Sequence, residues 1–187
     1  MLAPTLVDHL RLTFGHVIYT HRAHTQLAAR YGRWNRLLQG VEGLCLLVTV
    51  VFTVALLTSG EPAYGVVTAI AAGAAVLALT ARVILDLDSA GNAHRECGAR
   101  LWHIREQYRA LLADLQDGHL TLDAARERRD ELMMTLHNIY EKAPLADQAA
   151  YEAARRAIPI DHEAVLSDEE VDRFLPPTLH KSRPSAA

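Results

Sequence analysis

The stretch AYGVVTAIAAGAAVLALTARVILDLD, residues 63 to 88, decides how the chain folds. From Ala63 to Ala81 it carries no charge. Arg82 then interrupts it, and Ala and Gly stand where an oily anchor would carry Leu and Ile. A bilayer's hydrocarbon core is roughly 30 Å thick, and a helix needs about 20 mostly apolar residues to cross it. This run is long enough. Upstream, LLQGVEGLCLLVTVVFTVALLTS (Leu37 to Ser59) reaches the same length when Gln39 and Glu42 sit at the interface, where long polar side chains reach the headgroups. The competing reading, two core helices of a soluble bundle, is disfavoured because the uncharged lengths meet the membrane threshold.

Between the runs, Gly60 and Pro62 end one helix and allow the next to start, which predicts a tight antiparallel hairpin with both chain ends on one side. Arg30, Arg33 and Arg36 precede the first run and Arg82, Arg95 and Arg100 follow the second, whereas the connecting loop has no Lys or Arg. The positive-inside rule puts both ends in the cytoplasm. Tyr31, Trp34 and Tyr64 sit where aromatic belts form. The expected architecture is all-α, a two-helix transmembrane hairpin continuous with a cytoplasmic helical bundle. Its parts are an N-terminal cytoplasmic helix (1–36), spans at 37–59 and 63–85, cytoplasmic helical arms at 86–158, and a mostly irregular or disordered tail at 159–187.

With the apex at Gly60 to Pro62, equal distances along the two helices mean equal depth, because each residue rises about 1.5 Å. Glu42 and Arg82 then lie level. Either they pair at the cytoplasmic rim, which we expect, or each reaches the headgroups alone. On the first span Glu42, Cys45, Thr49, Thr53 and Leu56 share one stripe. Such a stripe lines a water path or hydrogen-bonds across packed helices, although Thr also bonds back to its own helix, the more frequent case. On the second span Gly65, Ala69 and Gly73 lie four apart. Lipid supplies no hydrophobic drive between helices, so small residues that let backbones approach are how spans gain packing energy. The partner of this ladder is the first span or another copy of the chain.

Beyond the second span, His94, Cys97, Leu101, Ile104, Tyr108, Leu111 and Leu115 follow a three-four spacing, the pattern of a helix–helix seam, and Leu87 and Ala90 extend it backward. Either the second span continues as one long helix into the cytoplasm, or DSAGN, residues 88 to 92, offers a kink or break where Gly91 lowers helix propensity. Gly118 ends this arm and Thr121 caps the next, whose seam is Leu122, Ala125, Arg129, Leu132, Leu136 and Ile139. The two arms are expected to pack as an antiparallel hairpin. Pro144 stops the second arm, and Asp147 caps a short helix running to Arg156. Ahead of the first span, Leu10, Phe14, Val17, His21, His24, Ala28 and Tyr31 form a further seam.

The net charge of −3 over 187 residues is too weak to imply a nucleic-acid partner. Two cysteines, Cys45 and Cys97, do not make a disulfide framework. Residues 1–36 carry several Arg and His and the first apolar run begins too late for a secretory signal. Ten histidines invite a metal reading, but no Cys or carboxylate stands at a strong ligand spacing, so no metal or other cofactor is expected. They read instead as polar seam residues titrating near neutral pH. Phosphate-loop, HExxH and GxSxG signatures are absent from the sequence, and we expect no enzyme.

The order of parts resembles the SLATT family, the bacterial two-span effector domains associated with nucleotide-synthesising SMODS enzymes and SLOG sensors. The resemblance covers roughly residues 15–158. It rests on HRAHTQLAARYGRWNRLL, on the two spans split by a short turn, on the post-span His94 in NAHRECGARLWHIREQY, on RRDELMMTLHNIYEKAP and on AAYEAARRAI. It implies an effector of bacterial antiviral defence whose spans oligomerise at a nucleotide signal and breach the inner membrane, killing the infected cell. With no sensor domain in this sequence, the signal is expected from a separate sensor or synthase, or by direct binding to the bundle. Expected partners are thus the lipid bilayer and further copies of the chain. The alternative reading is a non-conducting membrane anchor or scaffold whose arms bind a cytosolic partner.

Overall fold

The computed structural model of the chain describes residues 5–145 and 168–181. Its helices are α1 (Leu6–Ser59), α2 (Pro62–Ile84), α3 (Leu87–Gln116), α4 (Leu122–Glu141) and a short α5 (Asp168–Asp172), followed by a 3-10 turn at Pro177–Leu179. The fold is all-α, and no strand occurs among the described residues. Two compact units divide it. One is Met1–Leu27 with Ala93–Ala187, the other Ala28–Asn92.

Local chemistry explains most helix ends. At the start of α1 the Thr5 hydroxyl accepts the Asp8 backbone N–H at 3.1 Å, and the Asp8 carboxylate accepts the Thr5 N–H at 3.1 Å. Each side chain satisfies a donor that the first helical turn leaves open. Gly60 ends α1 with φ +72°, and Pro62 opens α2. Gly118 (φ +70°) closes α3 through two bonds, its own N–H to the Leu115 carbonyl and the His119 N–H to the Asp114 carbonyl. That is the Schellman pattern, which needs a left-handed residue where Gly118 sits. Thr121 caps α4 by accepting the Ala124 N–H at 3.2 Å.

α1 is one helix from Leu6 to Ser59, its internal glycines at negative φ, so the N-terminal helix runs on into the first span, as a hairpin continuous with the bundle requires. Two features differ from the sequence reading. The break after the second apolar run falls at Leu85–Asp86 rather than in residues 88–92, with Asp86 at φ +43°, a conformation Asp tolerates better than most residues. Gly91 lies inside α3, where a Cβ would meet the Tyr31 Cβ at 3.3 Å. Its role is close approach of two helices, not breakage. Second, the segment read as a mostly irregular tail contains α5 and the 3-10 turn, and Val171 of α5 and Leu175 just after it join the core. The expected helix from Asp147 to Arg156 lies outside the described residues.

In the first unit the seams interdigitate around Leu10, Phe14, Val17, Leu101, Ile104 and Tyr108, with Ala125, Leu132, Leu136 and Ile139 added from α4. Leu115 is only partly buried, Leu122 is exposed, and Arg129 stays half-buried beside Asp130. Arg11, 3% exposed, ties the C-terminal segment to α1 through the Asp172 carboxylate and the Leu179 carbonyl (2.7 Å). Lys181 bridges Asp8 at 2.6 Å and Asp168 at 3.0 Å. Arg22 lies over the Phe174 ring, 5.1 Å from its centre.

Candidate functional site

The second unit is built on the two apolar runs, and its inner face is narrow. Ala71, Ala75 and Ala78 are buried on α2, while Cys45, Thr49, Phe52, Thr53 and Leu56 of α1 are half-buried. Phe52 and Tyr64 meet edge to face with ring centres 5.7 Å apart, and the Leu56 side chain comes within 3.5 Å of a Cβ placed on Gly65. Further from the apex, Arg82 Nη1 lies 3.2 Å from Glu42 Oε2, and Asn35 donates to Asp88 at 2.5 Å. These contacts keep one antiparallel register, as equal rise from a shared apex requires. The Asn35–Asp88 bond was not anticipated, although the same counting from Gly60 that makes Glu42 level with Arg82 also makes Asn35 level with Asp88.

The polar stripe of α1 lies on this inner face. Its hydroxyls are satisfied locally, Thr49 donating to the Cys45 carbonyl at 2.8 Å and Thr53 to the Thr49 carbonyl at 2.7 Å. Each closes on its own helix, which removes its donor from any contact across the hairpin. The ladder of the second span divides. Gly65 faces Leu56, whereas Ala69 is exposed, as is Gly73, which has open space where a Cβ would stand.

Outside that narrow seam the runs expose their large side chains. Leu57 is 79% exposed, Leu77 72% and Ile70 68%, and no residue of the most apolar stretch of α1 is buried. Monomeric soluble domains rarely expose large apolar side chains in such a contiguous run, whereas a bilayer covers them. Both helices are long and apolar enough to cross. The family model described as "SMODS and SLOG-associating 2TM effector domain family 4" matches residues 6–170.

The chain belongs to this family. It is a two-transmembrane effector domain, and the two exposed apolar helices agree with a place in the membrane. No curated protein and no solved structure matches it.

In the first unit of this SLATT domain, α1 and α3 bring three histidines together. His24 Nδ1 and His94 Nδ1 are 2.9 Å apart with ring centres at 5.0 Å, and His21 Nδ1 lies 2.8 Å from the Gly98 carbonyl oxygen. Burial, then the charges of His94 and His21, pushes His24 down to about 4. Burial also lowers His94 and His21, the latter against the Gly98 carbonyl, which favours its protonation. Burial raises the Cys97 thiol, so it stays protonated. The sequence placed His21 and His24 on one seam and His94 on another. It gave no sign that the two seams meet at these rings. Among the described residues no group of three or more His, Cys, Asp or Glu is arranged to hold a metal.

Described residues of the bundle line two of its cavities. One, about 390 Å³, runs between α3 and α4 and is lined by Asp114, Glu127 and Glu131 against Arg128. Three carboxylates facing one guanidinium are the wrong balance for a phosphate-bearing ligand. The other, about 180 Å³, sets Arg100 and Lys142 against Glu96 beside Cys97.

Proposed function

We propose that this SLATT domain is an oligomerising effector of the bacterial inner membrane, with both termini in the cytoplasm, which opens a pore or otherwise disrupts the bilayer in nucleotide-signalled antiviral defence. The outer face of α2 carries this reading. Ala71, Ala75 and Ala78 already complete the packing within the hairpin, and Ala69 with Gly73 leaves a second shallow surface open. Helices in lipid associate over small residues of this kind, which favours contact between copies. A conducting path is then formed between hairpins rather than inside one, since the Thr49 and Thr53 hydroxyls close on their own helix. A separate sensor or synthase supplies the signal.

Dye release from liposomes tests this reading, with the protein alone, with candidate cyclic nucleotides and with Gly73→Leu. Triggered release that is lost in Gly73→Leu, with insertion intact, is the expected result. No release under any trigger contradicts it and favours a non-conducting scaffold. That second reading has its own support in the exposed Trp102, Met133 and Met134 of the helical arms, a surface fit for a cytosolic partner.

A further inference from the structure

We infer that Arg30, Arg33 and Arg36, with Trp34 between them, form a binding site for the headgroup of an anionic phospholipid at the start of the first span. All four side chains are exposed on α1. Among the described residues none of the three guanidiniums makes an ion pair or a hydrogen bond, whereas every other described arginine is engaged, commonly by a carboxylate within one turn of its own helix. The sequence explains the difference. No Asp or Glu stands between Asp8 and Glu42, so no acid lies three or four residues from any of them, and Glu42 is taken by Arg82. Asp86 and Asp88 lie at a comparable level across the hairpin. Asp88 accepts the Asn35 amide at 2.5 Å, and neither carboxylate pairs with the three arginines.

Asn35 marks the side of α1 that faces Asp88. At 3.6 residues per turn the three arginines stand roughly 100–160° round the helix from it, turned away from the hairpin. Arg30, Arg33 and Trp34 share one stripe with Leu37, Val41 and Leu44, which are exposed as well. The cationic surface therefore runs without a break into the apolar surface that lipid tails cover. Counted from the apex at Gly60, Arg36 and Arg30 lie about 36 and 45 Å along α1. A bilayer with its headgroups is about 40–45 Å thick, so an apex at one surface puts the three cations in the headgroup layer of the other. A guanidinium offers a planar fork of N–H donors that fits phosphate oxygens bidentately, and an indole settles at the same depth. A zwitterionic lipid brings a cation of its own to the site, so a net-anionic headgroup fits better. The inference rests on the spans crossing a bilayer, not on oligomers or a pore.

Trp34 reports on the site, since Trp102→Phe leaves it the single tryptophan of the chain. Quenching of Trp34 by chain-brominated lipids, with the full chain reconstituted in vesicles, compares phosphatidylglycerol with phosphatidylcholine. Phosphatidylglycerol is expected to bind about fivefold more tightly at low salt, and to lose most of that preference between about 0.05 and 0.5 M sodium chloride. Arg30→Gln with Arg33→Gln and Arg36→Gln is expected to remove the preference. Arg109→Gln with Arg126→Gln and Arg128→Gln, which deletes the same charge from the exposed arms, is expected to keep it. Equal binding of the two lipids, a preference that survives the first triple variant, or one lost equally in the second, overturns the site. So does sodium phosphate abolishing the preference where sodium chloride of equal ionic strength does not, which makes this a site for soluble anions. Should the first triple variant fail to insert, Arg33→Gln alone decides: a reduced preference supports the site, and an unchanged one overturns it. A chain that never enters vesicles contradicts the membrane reading on which the site rests, whereas an inserted chain without lipid preference contradicts the site alone.

Discussion

Arg82 Nη1 stands 3.2 Å from Glu42 Oε2, a salt bridge inside the hairpin with both side chains only about a fifth exposed. It joins the charge that ends the uncharged part of the second run to the acid that interrupts the first. Removing either partner leaves the other unpaired in an apolar setting, which costs about 1–3 kcal/mol depending on depth. Glu42→Gln and Arg82→Gln are each expected to destabilise the hairpin by that amount, and the exchange Glu42→Arg with Arg82→Glu to recover most of it. A double-mutant cycle in micelles measures this; strictly additive effects contradict the pairing.

The C-terminal segment is held by charge at two places of different burial. Arg11 is buried against Asp172, so Arg11→Ala takes the counter-charge from a buried carboxylate that keeps the Lys181 backbone N–H at 3.2 Å, and is expected to cost about 3–5 kcal/mol and to release residues 168–181 to protease. Limited proteolysis followed by mass spectrometry reads this directly.

At the exposed end of the same segment, Lys181 first, then Thr5, holds the Asp8 carboxyl down at about 2, below its ordinary 3.8. A depressed carboxyl contributes stability above its ordinary value and loses it as pH falls through its folded one. The Asp8 titration, followed by carbon NMR, is therefore expected to move up toward 3.8 in Lys181→Met, without reaching it because Thr5 remains.

Tyr108 is fully buried, its titration pushed up to about 12 mainly by burial, and its hydroxyl has no hydrogen-bond partner among the described residues. Its ring fills the core while its oxygen adds a desolvation cost. Tyr108→Phe should thus leave thermal stability unchanged or raise it by up to about 1 kcal/mol, whereas Tyr108→Ala should lose about 3–5 kcal/mol. A large loss in Tyr108→Phe would show that the hydroxyl is satisfied.

Sequence reading works where one residue type has one use. Gly60, Pro62, Gly118 and Thr121 occupy the turns and caps that their backbone preferences suggest, and the length of the uncharged runs marks the membrane helices. Periodicity places His24 and His94 on helical faces, but says nothing about which face meets which, so the ring contact stayed hidden. Asp86 was missed because a left-handed Asp has no sequence signature of its own, and Gly91 drew attention as a breaker when its use is close packing against Tyr31. Arg11 was illegible for another reason. Its partners come from a segment with no apolar period, where single residues such as Val171 and Leu175 do the anchoring. On the second span, small residues occur on both faces, so composition could not separate the inner Ala71, Ala75 and Ala78 from the outer Ala69 and Gly73.

That separation supports the most direct measurement. Single cysteines at positions 69, 71, 73 and 75, in a background lacking Cys45 and Cys97, are oxidised in native membranes and the products sized by gel. Association through the open face of α2 predicts cross-linked dimers from Ala69→Cys and Gly73→Cys and little from Ala71→Cys or Ala75→Cys. Monomer at all four positions, or cross-linking strongest at the two inner ones, would contradict it.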